Sequence, residues 1–176
     1  MATAREGPDV VPLSVEEEEF LRAWVRAALM VPRALDADLV IGQHMSVSEY
    51  NTLMHLSEAP GQTLRMSDLA NASALSLSGM SRIVSRLEGQ GLVHRERCSS
   101  DGRGLNAVLT DAGLARLRSA WPTHLASVRK HMMDHISGLD IPAVTAALQR
   151  FASDTPCDDA QQAYGEPGRQ LGAVDD

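Results

Sequence analysis

Apolar residues recur every three or four positions along most of this chain, and the pattern predicts six helices. In the first, Phe20, Trp24, Ala28, Val31 and Leu35 fall on one stripe. Ser14 with Glu17 makes a capping box at its start, and acids in the first turn suit the helix dipole. Pro32 lies inside the stripe and predicts a kink. Ser46 with Glu49 caps a second helix carrying Val47, Tyr50, Leu53 and Met54, which Ala59-Pro60-Gly61 stops. Thr63 to Arg65 reads as a short extended piece. A small helix follows from about Ser67 to Ala72, with Asp68 in its first turn. Thr110 caps a long fifth helix in which Leu114, Leu117, Trp121, Leu125, Val128, Met132 and Ile136 continue the spacing; Pro122 interrupts or bends it and Gly138 ends it. Asp140 caps the last helix, whose buried side is marked by Val144, Leu148 and Phe151. The first and fifth helices are too apolar for lone surface helices and call for each other or for a second chain.

The fourth helix, capped by Ser76, is two-sided in a different way. At 100° per residue, Leu77, Met80, Ile83, Val84 and Leu87 share an arc of about 120° and predict the core side. Ser78, Ser81, Arg82, Ser85 and Arg86 share an arc of about 140° opposite, with no acid among them. Gly89 and Gly91 end the helix. Leu92 to Cys98 then reads as a strand, Ser99 to Gly104 as a turn and Leu105 to Leu109 as a return strand, a β-hairpin flanked by Arg95, Arg97 and Arg103.

Composition changes little in this picture, but charge changes it more. The 176 residues hold only 3% aromatics, so the core rests on Leu, Val, Ile, Met and Ala. No apolar run is long enough to span a bilayer, and no signal peptide is visible. Two cysteines, Cys98 and Cys157, are too few for a disulfide framework, and the expected compartment is the cytoplasm. Residues 1–13 read as a mobile arm, and residues 153–176, with six acids and one base, as an acidic disordered tail. The formal net charge of −7 taken alone argues against nucleic acid. Between Ser76 and Thr110, however, five Arg face three acids, a local net of +2.

A small helix, a turn, a capped helix with a basic and hydroxylated face, and a hairpin follow the order of a winged helix-turn-helix. A helix fits the major groove, and its exposed N-terminal residues meet base edges. Arginine bonds guanine bidentately or pairs with phosphate, and a hairpin-tip arginine can enter a narrow minor groove. Each feature also has a plainer reading. The face from Ser76 to Arg86 could be solvated surface, but such a surface usually carries Glu or Lys. Arg95, Arg97 and Arg103 could be edge-strand charges. His131 and His135, four apart, could begin a metal site; without a third ligand they read as a structural or solvent-facing pair, and no metal or other cofactor is expected. Trp24 and Trp121 read as packing anchors, and Cys98 as an ordinary small residue. No catalytic constellation stands out, so the chain reads as a non-enzyme.

The stretch from Ser76 through Arg82 and Arg86 to Arg95 resembles the recognition helix and wing entry of the multiple antibiotic resistance regulator (MarR) family. Asp101-Gly-Arg103, followed by Leu109-Thr110, is similar to that family's wing signature, D-x-R with L-T opening the next helix. The resemblance runs from about Ser14 to Phe151. It implies a mainly α fold with a small β-hairpin wing and six helices, forming one unit over 14–152. The winged helix-turn-helix would occupy about 47–110, and helices about 14–42 and 110–152 would build an intertwined homodimer. It implies a DNA-binding transcription regulator, a repressor of a pseudo-palindromic operator released by a small aromatic or carboxylate effector. The face, the hairpin and the resemblance together give the expected DNA-binding residues Ser76, Ser78, Ser81, Arg82, Ser85, Arg86, Arg95, Arg97, Asp101 and Arg103; by resemblance Ser78, Ser81 and Arg82 hold recognition-helix positions, Arg103 the wing tip, and Asp101 braces the wing. Gly104 departs from the second tip arginine many relatives carry. Trp24, His44, Tyr50 and His55 are the expected effector residues. The alternatives are a winged-helix module binding an acidic protein partner, and a metal-sensing regulator using histidines.

Overall fold

The computed structural model describes residues 10–97 and 104–153. Most of the expected N-terminal arm, the acidic tail, and Cys98, Asp101 and Arg103 of the wing lie outside them.

Each predicted cap is present. Ser14 and Glu17 form the capping box that opens α1 (Val15–Gln43), and Ser46 and Glu49 the one that opens α2 (Val47–Glu58). A short 3-10 turn over Pro60–Gln62 leads to β1 (Thr63–Arg65), followed by α3 (Met66–Ala72) and α4 (Leu77–Gly89). The hairpin is β2 (Val93–Arg97) with β3 (Leu105–Leu109); α5 (Asp111–His131) and α6 (Ile141–Ser153) complete the chain. Pro32 and Pro122 lie inside α1 and α5 and end neither helix.

Three expectations change. The piece over Thr63–Arg65 is a third strand: the antiparallel sheet has the order β1-β3-β2, with Leu64 opposite Ala107 and Arg95 opposite the same residue from the other side. The fifth helix stops at His131; Met132 leaves helical geometry and Met133–His135 forms a 3-10 turn, whose three-residue repeat carries the apolar spacing onward and mimics a longer helix. Finally, α6 has no buried side within one chain: Val144 and Leu148 are half-buried and Phe151 is exposed.

The core lies between α2, α3, α4, the sheet and the first half of α5. It joins Tyr50, Leu53, Leu56, Leu69, Met80, Val84, Leu87, Val93, Ala107, Leu109 and Leu117. Helix α1 reaches it only near its C-terminus, through Leu39. That end is fixed to α5 by polar contacts. Arg116 donates to the Gln43 carbonyl and to Oε1 at 3.0 Å, and Gln43 Nε2 donates to Thr123 Oγ1 at 2.8 Å. Further along, Asp38 accepts from Ser127 Oγ at 2.8 Å and meets His131 Nε2 at 2.9 Å. Every residue from Val15 to Met30, by contrast, is exposed.

The Asp38 latch sets a pH dependence. The Ser127 hydrogen bond first, and the His131 one second, hold the Asp38 carboxyl below its ordinary value. A carboxylate depressed in the folded state contributes stability that is fully present above its unfolded pKa and is lost as pH falls through the folded value. The wild type should therefore melt higher than Asp38→Ala at pH 6, and the gap should narrow at pH 3, as read by thermal denaturation at both pH values.

Candidate nucleic-acid interface

Helix α4 is built to show one side. Ser76 stands in extended backbone and its Oγ accepts from the Gly79 amide at 3.1 Å. The turn before it, after α3, passes through Ala74 in the left-handed region (φ 51°) and closes with Leu75 N donating to the Ala70 carbonyl. Met80, Ile83, Val84 and Leu87 are buried, which fixes the roll of the helix. Ser76, Ser78, Ser81, Arg82, Ser85 and Arg86 are all exposed on the side away from them. Leu77 departs from its expected core position: it is 56% exposed, because the first turn projects beyond the packed lobe.

The arginines on this side differ in how they are held. Arg95, on β2, is the most engaged, with 20% of its side chain exposed. It donates to Glu88 Oε2 at 2.6 Å, to the Ser81 carbonyl at 2.8 Å and to Ser85 Oγ at 2.8 Å, while its backbone amide donates to Glu88 Oε1. It thus ties the wing to the middle of α4. Arg86 lies 3.4 Å from Glu49 Oε1, and Glu49 is itself held by Ser46 at the start of α2. Arg82 makes one long bond, Nε to the Ser78 carbonyl at 3.4 Å. Arg97 is exposed at the end of β2 opposite Leu105.

Helix α4's side is acid-free in sequence, but in space Glu49 pairs with its Arg86, and Glu88 pairs with Arg95 of the neighbouring β2. Glu49 comes from another helix and Glu88 from the flank of α4, so neither shows on a helical projection of the Ser-Arg side alone. Arg95→Ala should lower thermal stability by about 2 kcal/mol, since it strips charge-assisted bonds from Glu88 and leaves α4 less tightly joined to the wing. Loss of a DNA contact alone would leave the melting temperature unchanged, so a denaturation curve checks the assignment.

The expected effector residues do not converge on one point. Trp24 makes an edge contact with Phe151 of α6, ring centroids 6.1 Å apart. His44 is the exposed C-cap of α1 in the left-handed region. Tyr50 is fully buried and stacks on His124 of α5 at 4.2 Å, with Trp121 beside His124. His55 is half-buried. Tyr50 Oη and His124 Nδ1 are buried with no hydrogen-bond partner among the described residues. Burial, then the charge of Glu58, pushes the Tyr50 phenol up to about 12, and burial holds His124 and His55 below the ordinary histidine value. These rings are therefore uncharged at neutral pH.

A family model described as MarR family matches residues 45–104, from the end of α1 into the wing. The structure superposes on AbsC, a MarR family transcriptional regulator from Streptomyces coelicolor, with TM-score 0.75 and 37% identity over 82% of this chain and 97% of that one. The chain belongs to the MarR family of transcriptional regulators. Sco3205, another MarR regulator from Streptomyces coelicolor, solved in complex with DNA, gives TM-score 0.75 and 32% identity over 85% of this chain and 94% of that one. At 20% identity, CouR from Rhodococcus jostii RHA1, bound to p-coumaroyl-CoA, shares the fold with TM-score 0.63, over 86% of this chain and 96% of that one. No protein with a curated description matches the sequence significantly.

Within the MarR architecture three residues outside the sequence-based set gain significance. His124 carried no motif; only its place four residues before Val128 on α5 hinted that it faces the lobe. Glu49 reads in sequence only as a cap, and Glu88 only as one of the three acids between Ser76 and Thr110. The histidine pair also changes: His131 ends α5 against Asp38 and His135 lies in the 3-10 turn, so the two do not share a helical side. Among the described residues no three of His, Cys, Asp and Glu gather as metal ligands, and no helix is long and apolar enough to cross a membrane.

Proposed function

We propose that this MarR-family chain is a homodimeric, sequence-specific DNA-binding repressor acting in the cytoplasm. The observation that carries the reading is the exposed Ser-Arg side of α4, rolled outward by four buried residues on its other side and braced against the wing. Two such helices would enter successive major grooves, with half-sites about 34–36 Å apart. Ser76, Ser78, Ser81, Arg82, Ser85 and Arg86 meet DNA from α4. Arg97 and Arg103 meet it from the wing, with Asp101 bracing the tip, and Arg95 acts as a positioning residue. The DNA complex of Sco3205, at 32% identity, supports the reading.

The experiment is retention of random duplexes by the purified protein, sequencing of those retained, and titration with salt. Enrichment of a two-fold motif whose binding weakens log-linearly with salt supports the regulator. Retention without any sequence preference refutes it and favours the module that binds an acidic protein partner.

Release of DNA by a small aromatic carboxylate or its thioester belongs to the same proposal, with the stacked pair Tyr50 and His124 between α2 and α5 as the groups it would meet. Unpartnered buried polar atoms are costly, and a ligand offering hydrogen bonds to Tyr50 Oη and His124 Nδ1 would satisfy them. CouR, of the same fold, is described with such a thioester. A panel of aromatic carboxylic acids and their coenzyme A thioesters, screened by thermal shift and then by loss of DNA retention, tests it.

A further inference from the structure

We propose that Arg82 is the residue of α4 that selects a guanine in each half-site, while Arg86 is a phosphate clamp. The proposal rests on the regulator reading above and assigns its specificity to one side chain. All the arginines near this surface carry the same charge, so sequence cannot separate them. Their surroundings do. A side chain that reads guanine must offer two parallel N–H donors to O6 and N7 in the base plane, and so must have its guanidinium fork uncommitted. Arg95 does not qualify, because its terminal nitrogens are spent on Glu88, Ser81 and Ser85.

Arg86 is tethered through Nε to Glu49, whose other oxygen is bound to the Ser46 amide and hydroxyl. The carboxylate is nearly buried and of opposite charge, so it draws the Arg86 guanidinium to that edge although the side chain is 60% exposed and its terminal nitrogens, like those of Arg82, have no partner among the described residues. A cation drawn to the protein surface in this way suits a backbone phosphate. Arg82 uses only Nε, in a 3.4 Å bond to the Ser78 carbonyl one turn back. That bond draws the side chain toward the N-terminal end of α4, the end that enters the groove. It leaves both terminal nitrogens without a partner among the described residues.

The serines complete the division. Ser85 Oγ accepts from Arg95, so its own hydroxyl proton is left to donate, and a donor next to a clamp arginine suits a phosphate oxygen. Ser76 Oγ is occupied by the Gly79 amide and by the Ser78 hydroxyl, so the first turn presents Ser78 and Arg82 together.

The test is selection from a randomised duplex library by wild type, Arg82→Ala and Arg86→Ala, with circular dichroism as the fold control; both side chains are exposed. Wild type should enrich a paired motif with one guanine fixed at the same place in each half. Arg82→Ala should lose about ten- to a hundredfold discrimination at that position and keep the others. Arg86→Ala should weaken every retained sequence alike and lower the salt slope by about one per protomer. If Arg82→Ala still selects the guanine, or if Arg86→Ala is the variant that relaxes it, the division of roles is wrong while the regulator reading stands. If wild type enriches no motif at all, the regulator reading falls with it.

Discussion

Val25→Glu should turn the proposed homodimer into a monomer and lower its affinity for the proposed two-fold operator by at least about a hundredfold. The expectation follows from what one chain leaves uncovered. Phe20, Leu21, Trp24, Val25, Leu29 and Met30 are each more than 40% exposed, and Leu139, just before α6, with Ile141 and Phe151 of α6, adds further exposed apolar side chains. A continuous apolar surface of this kind marks an interaction site. In this chain Leu21, Val25 and Leu29 are spaced by four, which makes a stripe along α1 that a second copy of the same helix could match.

A carboxylate placed mid-stripe would have to be buried unpaired or keep the chains apart, and the second is the cheaper outcome. The winged lobe should survive, because its core begins at Leu39 and does not use the exposed half of α1. The loss on DNA follows from bivalency. Linking two lobes makes the second contact intramolecular and multiplies affinity by a factor of order 10² to 10⁴. Sedimentation velocity reads the mass, circular dichroism the fold and DNA titration the affinity. A Val25→Glu protein that stays dimeric and binds as before would move the dimer surface off α1.

The same exposure explains what was legible in the sequence and what was not. Caps were legible because they are local: Ser14, Ser46, Ser76, Thr110 and Asp140 each bind a backbone amide three residues on. The sides of α4 were legible because burial there is decided within one chain. The stripe of α1 and the apolar side of α6 were visible as patterns, yet periodicity does not say whether the covering atoms come from the same chain. Here Phe20 and Phe151 remain exposed where burial was expected. Strand β1 reads in sequence as an extended piece over the same three residues, but its pairing does not show there, because three residues carry no period and the partner β3 lies more than forty positions away. Specific pairs were the least visible. The Glu49–Arg86 and Glu88–Arg95 contacts depend on where helices end up, and so does the stack of Tyr50 on His124. Asp101 and Arg103, which carry much of the family resemblance, lie outside the described residues, so their roles remain part of the proposal.

Gly113→Ala should destabilise the protein by about 3 kcal/mol, a drop in melting temperature of roughly 6–12 °C for a chain of this size. In an open helix the same change would stabilise by up to about 1 kcal/mol, because glycine is a poor helix former. The sign reverses here because of how α5 docks. Thr110 caps it by accepting from the Gly113 amide at 3.0 Å, and its hydroxyl lies 2.8 Å from the Gly91 carbonyl and 3.0 Å from that of Leu92. The Thr110 amide also donates to the Leu92 carbonyl. The first turn of α5 is thereby pressed onto the chain just before β2. A Cβ on Gly113 would stand 2.1 Å from the Leu92 carbonyl oxygen and 2.7 Å from Leu109 Cδ1. The first neighbour is backbone and cannot rotate away, so α5 must lift from the sheet or the Leu92 carbonyl must turn out of its bonds with Thr110.

Either movement displaces β2 and with it Arg95, the link to α4, so the variant should also bind DNA more weakly at temperatures where it is still folded. Gly89→Ala is the matched control. A Cβ there meets nothing within 4 Å, so its melting temperature should hold or rise slightly. Thermal denaturation of both variants at one protein concentration separates the clash from the general effect of removing a glycine, since a dimer's melting point moves with concentration. Equal melting temperatures for Gly113→Ala and wild type would mean that α5 does not rest on the Leu92 carbonyl. The wing would then lack the support through which a change in α5 could reach it.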